Sequence, residues 1–276
     1  MEIRSIALHI DRSKAMSKRI DAAVSLARRF SARLDAVYIP PPLDVAYLGE
    51  SVVAAQALAS EFEALRADAA KAHKYFEDAV HAAGVSCTYH ELDGDAPARL
   101  AEAARYSDLL MVGQDDPDDS RSTSRTTIES AMLMAGRPSL VIPYIGTADD
   151  FGSRVLIAWN ASREAARAVH DAMPLIRTAT KVDVIGVGAA DDRELVLSRL
   201  NRFEQYLKAH DITCSLHDEI DVEGDIGELM LSRISDMGSN LLVMGAYGHS
   251  PMRELLLGGV SRTLLREMTV PVLMSH

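Results

Sequence analysis

Apolar residues fall into two rhythms along this chain. Short, nearly unbroken runs such as Val155–Trp159, Val182–Val187, Ile212–His217, Leu241–Met244 and Val270–Met274 have strand length and little alternation. Such runs suit strands covered on both faces, as in a parallel sheet. Between them the apolar positions return every three or four residues. Ala165, Val169, Ala172 and Ile176 do so, as do Val196, Leu200, Phe203 and Leu207, and then Ile226, Met230 and Ile234. That period marks one face of an amphipathic helix. Strand and helix in alternation predict right-handed βαβ crossovers and an α/β fold, a parallel sheet with helices on both sides.

The pattern is written twice. Ser107-Asp108-Leu109-Leu110-Met111-Val112-Gly113 matches Ser239-Asn240-Leu241-Leu242-Val243-Met244-Gly245, and Val85–His90 matches Ile212–His217. Ile6–Asp11 matches Val155–Asn160, and Pro138–Ile142 matches Pro271–Met274. The blocks keep their order, with offsets of 149 at Asp11/Asn160, 127 at Cys87/Cys214, 132 at Gly113/Gly245 and 133 at Pro138/Pro271. Two copies of one unit are therefore expected, residues 1–145 and 152–276, each with five strands and four helices. The drop from 149 to 127 places about 22 extra residues in the first copy, after its second strand. They begin at Pro40-Pro41-Pro42-Leu43 and continue as a helix with Leu58, Phe62, Leu65, Ala69, Ala72, Phe76 and Val80 on one stripe. Part of that helix is expected to pack on the other copy or on another chain.

Composition narrows the class. Of 276 residues, 48% are hydrophobic and 25% charged, which suits a globular core without disulfides or metal. A net charge of −11 argues against nucleic acid or an anionic membrane as partner. Cys87 and Cys214 lack metal-site spacing and read as small buried hydrophobes in strands; Met132, Met134, Met230 and Met237 read as core filler. The start, Met1-Glu2-Ile3-Arg4-Ser5, lacks the apolar stretch of a signal peptide, and no apolar run reaches membrane-span length. A cytoplasmic location is expected.

One stretch is not explained by packing alone. Gly245, Gly248 and Gly258 follow the pattern G-x2-G-x9-G, opening after the apolar run that ends at Met244 and closing where a helical pattern begins. Missing β-carbons at a strand-to-helix junction let backbone N–H groups approach phosphate oxygens, and a helix start favours an anion. Gly258 and Gly259 would leave N–H groups free, Ser261 could donate its hydroxyl, and His249, Arg253 or Arg262 could add positive charge. The alternative is a plain loop with turn glycines. In an open parallel sheet, ligands sit beyond the carboxyl ends of the strands, where Asn160 and Gly186-Val187-Gly188 also fall. Asn160 suits either a hydrogen bond to a ribose or base edge or a simple Asx-turn; Trp159 reads as packing. The first copy keeps Gly113, but Gln114-Asp115-Asp116-Pro117-Asp118-Asp119-Ser120 follows it, and Arg125 and Thr126 stand near the places of Gly258 and Gly259. Four aspartates would repel phosphate there. Ser120–Thr127 reads as a mobile polar loop, with a modification site or an anion contact as alternatives.

Together, the glycine spacing in the segments Gly245-Ala246-Tyr247-Gly248-His249-Ser250 and Glu254–Arg262, the alternation of strands and helices along the chain and the duplication resemble the universal stress protein family in its tandem form. In the first half the likeness rests on Asp11, Ser13, Gly113 and the closing strand at Pro138. The resemblance implies two Rossmann-like, open-twisted five-stranded parallel sheets of order 3-2-1-4-5, akin to the adenine nucleotide α-hydrolase fold. It implies ATP, with or without Mg2+, bound by Gly245, Gly248, Gly258, Gly259, Val260 and Ser261, with Val187 or Gly186 beside the adenine. Asn160 stands where the family has an acidic residue, and Gly259 where its loop has Ser or Thr. The family pairs through its last strand, so the two copies are expected to pair within the chain, and whole chains to pair again as a homodimer. The function implied is a stress-response regulatory module that holds ATP in the second copy, with the first as a degenerate partner. A non-nucleotide adaptor or small-molecule sensor of the same fold is the alternative, and a slow ATPase comes last. No Ser-His-Asp elbow, zinc cluster or Walker-type loop is present in the sequence.

Overall fold

A computed structural model describes residues 2–41, 52–246 and 259–276 of the chain. The first half runs β1 (Ser5–Ile10), α1 (Met16–Phe30), β2 (Arg33–Tyr38), α2 (Val52–Ala83), β3 (Cys87–Glu91), α3 (Ala96–Arg105), β4 (Leu109–Gly113), α4 (Arg125–Ala135) and β5 (Ser139–Ile142). The second repeats it as β6 (Arg154–Ala158), α5 (Arg163–Arg177), β7 (Lys181–Gly188), α6 (Arg193–Lys208), β8 (Ser215–Ile220), α7 (Ile226–Met237), β9 (Leu241–Gly245), α8 (Gly259–Glu267) and β10 (Val272–Ser275). Helix ends follow local chemistry. Asp95, Ser162 and Asp225 accept backbone N–H groups at the starts of α3, α5 and α7, and Gly136 and Gly238 take the left-handed conformation after α4 and α7.

The two five-stranded units form one ten-stranded sheet, in the order β3-β2-β1-β4-β5-β10-β9-β6-β7-β8. Each half has the expected order, and every neighbouring pair within a half is parallel. The single antiparallel contact joins them, with Val272 opposite Val141, Leu273 opposite Leu140 and Met274 opposite Ser139. The expected pairing of last strands thus happens inside the chain. Side chains tie the seam as well: Gln114 Nε2 donates to the Arg266 carbonyl at 3.0 Å, and Arg167 donates to the Gly136 carbonyl at 3.0 Å. One large core layer, under α1, α2, α5 and α6, runs across both halves; the other lies under α3, α4, α7 and α8.

The structure corrects several sequence expectations. The third strand of the second half starts at Ser215, not Ile212. Ile212 donates its N–H to the Leu207 carbonyl and closes α6, following Asp211 in a left-handed turn. β3 and β8 end the sheet, so they are half-exposed, and Cys87 is exposed rather than buried, with Cys214 half-buried. Along α2, Leu65, Ala72, Phe76 and Val80 are buried but Phe62 is 42% exposed. A 32-residue helix is about 48 Å long, far longer than the strands it crosses, so one end overhangs. The described part of α2 packs on α1 of its own half. Met134 is exposed, unlike Met132 and Met230. No described helix is long and apolar enough to cross a membrane.

Candidate functional site

The carboxyl ends of β6 and β9 form the place where chain direction divides. β6 lies between β7 and β9 and leads into α5 on one face, while β9 leads to α8 on the other. This is the topological switch point at which open α/β sheets leave a crevice.

Asn160 lies exposed just beyond β6. Its Oδ1 accepts the Ser162 N–H at 3.0 Å, Ala161 is left-handed at φ 61, and Ser162 Oγ then accepts the Ala165 N–H. The Asx-turn is therefore formed, and among the described residues the Asn160 amide N–H2 has no acceptor. At the end of β7, successive residues face opposite ways. A β-carbon on Gly186 would meet Val196 and Leu200 of α6 at 3.0 and 3.2 Å, whereas Val187 packs toward the α7–α8 layer, with Val260 in the same cluster. Gly245 has a packing reason of its own: a β-carbon there would lie 2.5 Å from the Ala165 nitrogen, so its absence lets the first turn of α5 sit on β9. Gly259 opens α8 with no described residue within 4 Å of where its β-carbon would be, Val260 is half-buried, and Ser261 is buried at 4% exposure. Gly248, His249, Arg253 and Gly258 lie outside the described residues. Among the described residues, no group of three or more His, Cys, Asp and Glu is placed to hold a metal ion.

In the first half the equivalent place is built differently, and the sequence pattern did not reveal how. Arg19, 2% exposed, donates Nε to the His9 carbonyl at 2.8 Å and Nη2 to Asp11 Oδ1 at 2.7 Å. A β-carbon on Gly113 would overlap the Arg19 guanidinium, so this glycine accommodates an internal side chain. Asp11 also accepts the Ser13 N–H and hydroxyl, and its Oδ2 accepts from Thr123. Burial alone would raise the Asp11 carboxyl, but the Arg19 charge and these hydrogen bonds outweigh it and hold the group well below the usual carboxylate range. Shifted by 149, His9, Asp11, Ser13 and Arg19 become Ala158, Asn160, Ser162 and Ala168, so the second half has neither the charge pair nor its bulk. Three of the four aspartates of the first loop are engaged too. Asp119 accepts the Lys14 N–H at 2.6 Å, Asp115 accepts the Arg125 N–H, and Asp116 accepts the Asp118 N–H. With Thr123 on Asp11 and Ser124 capping α4, the segment expected to be a mobile polar loop is tied to the end of β1.

His9 makes this region sensitive to pH. It is 2% exposed and its Nδ1 has no partner. Burial lowers its pKa from 6.5 to about 4; Asp11 opposes that shift and Arg19 adds to it. The unfolded chain then takes up a proton that the native fold refuses, so this contribution is complete above pH 6.5 and is lost as pH falls from 6.5 toward about 4. The full contribution is about 3 kcal/mol. Urea unfolding of the wild type and His9→Leu at about pH 7.5 and about pH 5 should show the wild type losing about 2 kcal/mol relative to the variant at the lower pH. A difference independent of pH would mean that His9 is not held neutral.

Comparisons with known proteins agree with this architecture. The chain is similar in fold to a universal stress protein from Archaeoglobus fulgidus, with a TM-score of 0.71, 18% identity, and coverage of 100% of this chain and 99% of that one. It is similar as well to a functionally unknown protein from Pseudomonas aeruginosa, with a TM-score of 0.63, 15% identity, and coverage of 99% and 92%. At these identities the likeness concerns the fold. No curated protein matches the chain. The glycine-punctuated half, residues 153–276, matches the model of the Universal stress protein family.

Proposed function

We propose that the carboxy-terminal half binds an adenine nucleotide, ATP foremost, as a stress-response regulatory module, while the amino-terminal half serves as a structural partner without that site. The observation that carries this reading is the start of α8. Among the described residues Gly259 leaves open space there, at the end of a glycine-rich connection from β9, beside the switch point, in the half that matches the Universal stress protein family. The residues present fit a nucleotide. The α8 start attracts phosphate through its free N–H groups and dipole. The Asn160 amide supplies a donor for a ribose or base edge, and Val187 an apolar contact on the α8 side. In the proposed roles Gly245, Gly248 and Gly258 shape the loop, His249 and Arg253 add positive charge, and Ser261 lies one turn into the helix. In the first half Arg19 and Asp11 already occupy one another at the corresponding place.

Calorimetric titration with ATP tests this. Gly248→Val combined with Gly258→Val should weaken binding at least about tenfold, or about 1.4 kcal/mol, while the thermal midpoint stays within about 2 °C. Unchanged affinity in that variant, or no heat with the wild type, would remove the nucleotide and leave the adaptor or sensor reading. Sustained phosphate release with Mg2+, lost in the same variant, would add slow hydrolysis. A homodimer of whole chains would have to use surfaces other than β5 and β10, whose pairing is internal.

A further inference from the structure

The second half carries a groove that the nucleotide reading does not use. It lies between α5 and α6, on the face of the sheet opposite α8, with a volume of about 580 Å3. Its walls include Trp159, Phe203, Tyr206, His170, Arg199 and Arg202. Trp159 and Phe203 stack with centroids 3.9 Å apart and planes at 12°, giving a flat aromatic wall. The Trp159 indole N–H is buried and has no acceptor among the described residues. Arg199 and Arg202 are exposed, and among the described residues neither makes an ion pair or hydrogen bond, although the chain carries a net charge of −11. Their neighbours on α6 are paired: Arg193 with Asp218 and Lys208 with Glu204.

The first half shows how the same place looks when it is closed. Shifting back by 149 on α5 and by 127 on α6, His170 becomes Asp21, Arg202 becomes Tyr75 and Arg199 becomes Ala72. There the Tyr75 hydroxyl donates to the Asp21 carboxylate at 3.0 Å and ties the two helices together. The second half has replaced that acid and its donor by His170 and Arg202, and has added a second guanidinium, Arg199. The charged groups of the groove are therefore two guanidinium groups, and among the described residues no carboxylate lines it. Donors and guanidinium groups beside a flat aromatic wall select an anion that carries a ring, since guanidinium forks match carboxylate, sulfonate or phosphate oxygens and aromatic faces take up the ring.

We infer that this groove is a binding site for a planar aromatic anion, separate from the proposed nucleotide site. Trp159 is the single tryptophan of the chain, so its fluorescence reports occupancy directly. The probe is 8-anilinonaphthalene-1-sulfonate, with the uncharged N-phenyl-1-naphthylamine as its control. Saturable binding of one sulfonate per chain is expected, with Trp159 quenched and energy transferred to the probe. Arg199→Gln with Arg202→Gln should weaken it at least about tenfold. The uncharged probe should bind the wild type more weakly than the sulfonate does and be indifferent to the substitutions. Both arginines are exposed, so the thermal midpoint of the variant is the check on folding. The inference is overturned if the double variant binds the sulfonate as the wild type does, if both probes bind equally, or if no binding quenches Trp159. The Gly248→Val/Gly258→Val chain should keep the groove signal unchanged, which separates failure of this site from failure of the nucleotide site; loss of the signal there would place the probe in the loop and overturn the inference.

Discussion

Replacing Arg19 by methionine is expected to destabilise the protein by about 3–5 kcal/mol. The ion pair with Asp11 is almost completely enclosed, with the two side chains 3% and 8% exposed. Removing the guanidinium leaves a carboxylate inside the protein with only hydroxyl and backbone donors, and also frees the His9 carbonyl of its partner. Desolvating an unpaired charge costs far more than an exposed pair contributes. Asp11→Asn combined with Arg19→Met should recover at least about half the loss, since a neutral amide needs no counter-charge. Urea unfolding near neutral pH measures both. A single substitution costing less than about 1 kcal/mol would show that water reaches Asp11 and that the first half retains an accessible cleft at this place.

Leu273→Ala is expected to cost about 2–5 kcal/mol, the range for a large-to-small change in a packed core. Leu273 is fully buried in the core layer shared by both halves, opposite Leu140 across the antiparallel seam and Val243 on its other side. The cavity therefore opens where the halves are joined. Amide exchange should speed up in β4 of the first half as well as in β9 of the second. Faster exchange confined to the second half would mean that the halves open independently and that the seam contributes little to cooperativity.

Strand and helix alternation and the duplication could be read directly, because covered parallel strands and amphipathic helices leave different apolar periods in the chain. The glycine-rich stretch after a buried strand also pointed to the ends of β6 and β9 as the candidate site. The reading was weaker wherever one residue type serves two purposes. Gly245 matches a phosphate loop, yet the first turn of α5 lies against it, and Gly113 makes room for Arg19. Nothing in the sequence distinguishes those uses, because both require only a missing β-carbon. The aspartates after Gly113 were read by charge alone. Their work in the structure is local, as acceptors for backbone N–H groups, and depends on turn geometry that a run of acids does not encode.

By itself the sequence determined the α/β class, the two copies and the position of the glycine-rich stretch after a buried strand, all of which follow from local periodicity and self-similarity; the strand order was implied by the family resemblance alone. Only the tertiary structure decided that the ten strands make one sheet. It also decided that Arg19 reaches back ten residues to fill the first half's cleft, and that Trp159, Arg199 and Arg202 line one groove. These outcomes depend on which side chains meet after helices dock, and contacts between elements distant in the chain leave no period to read.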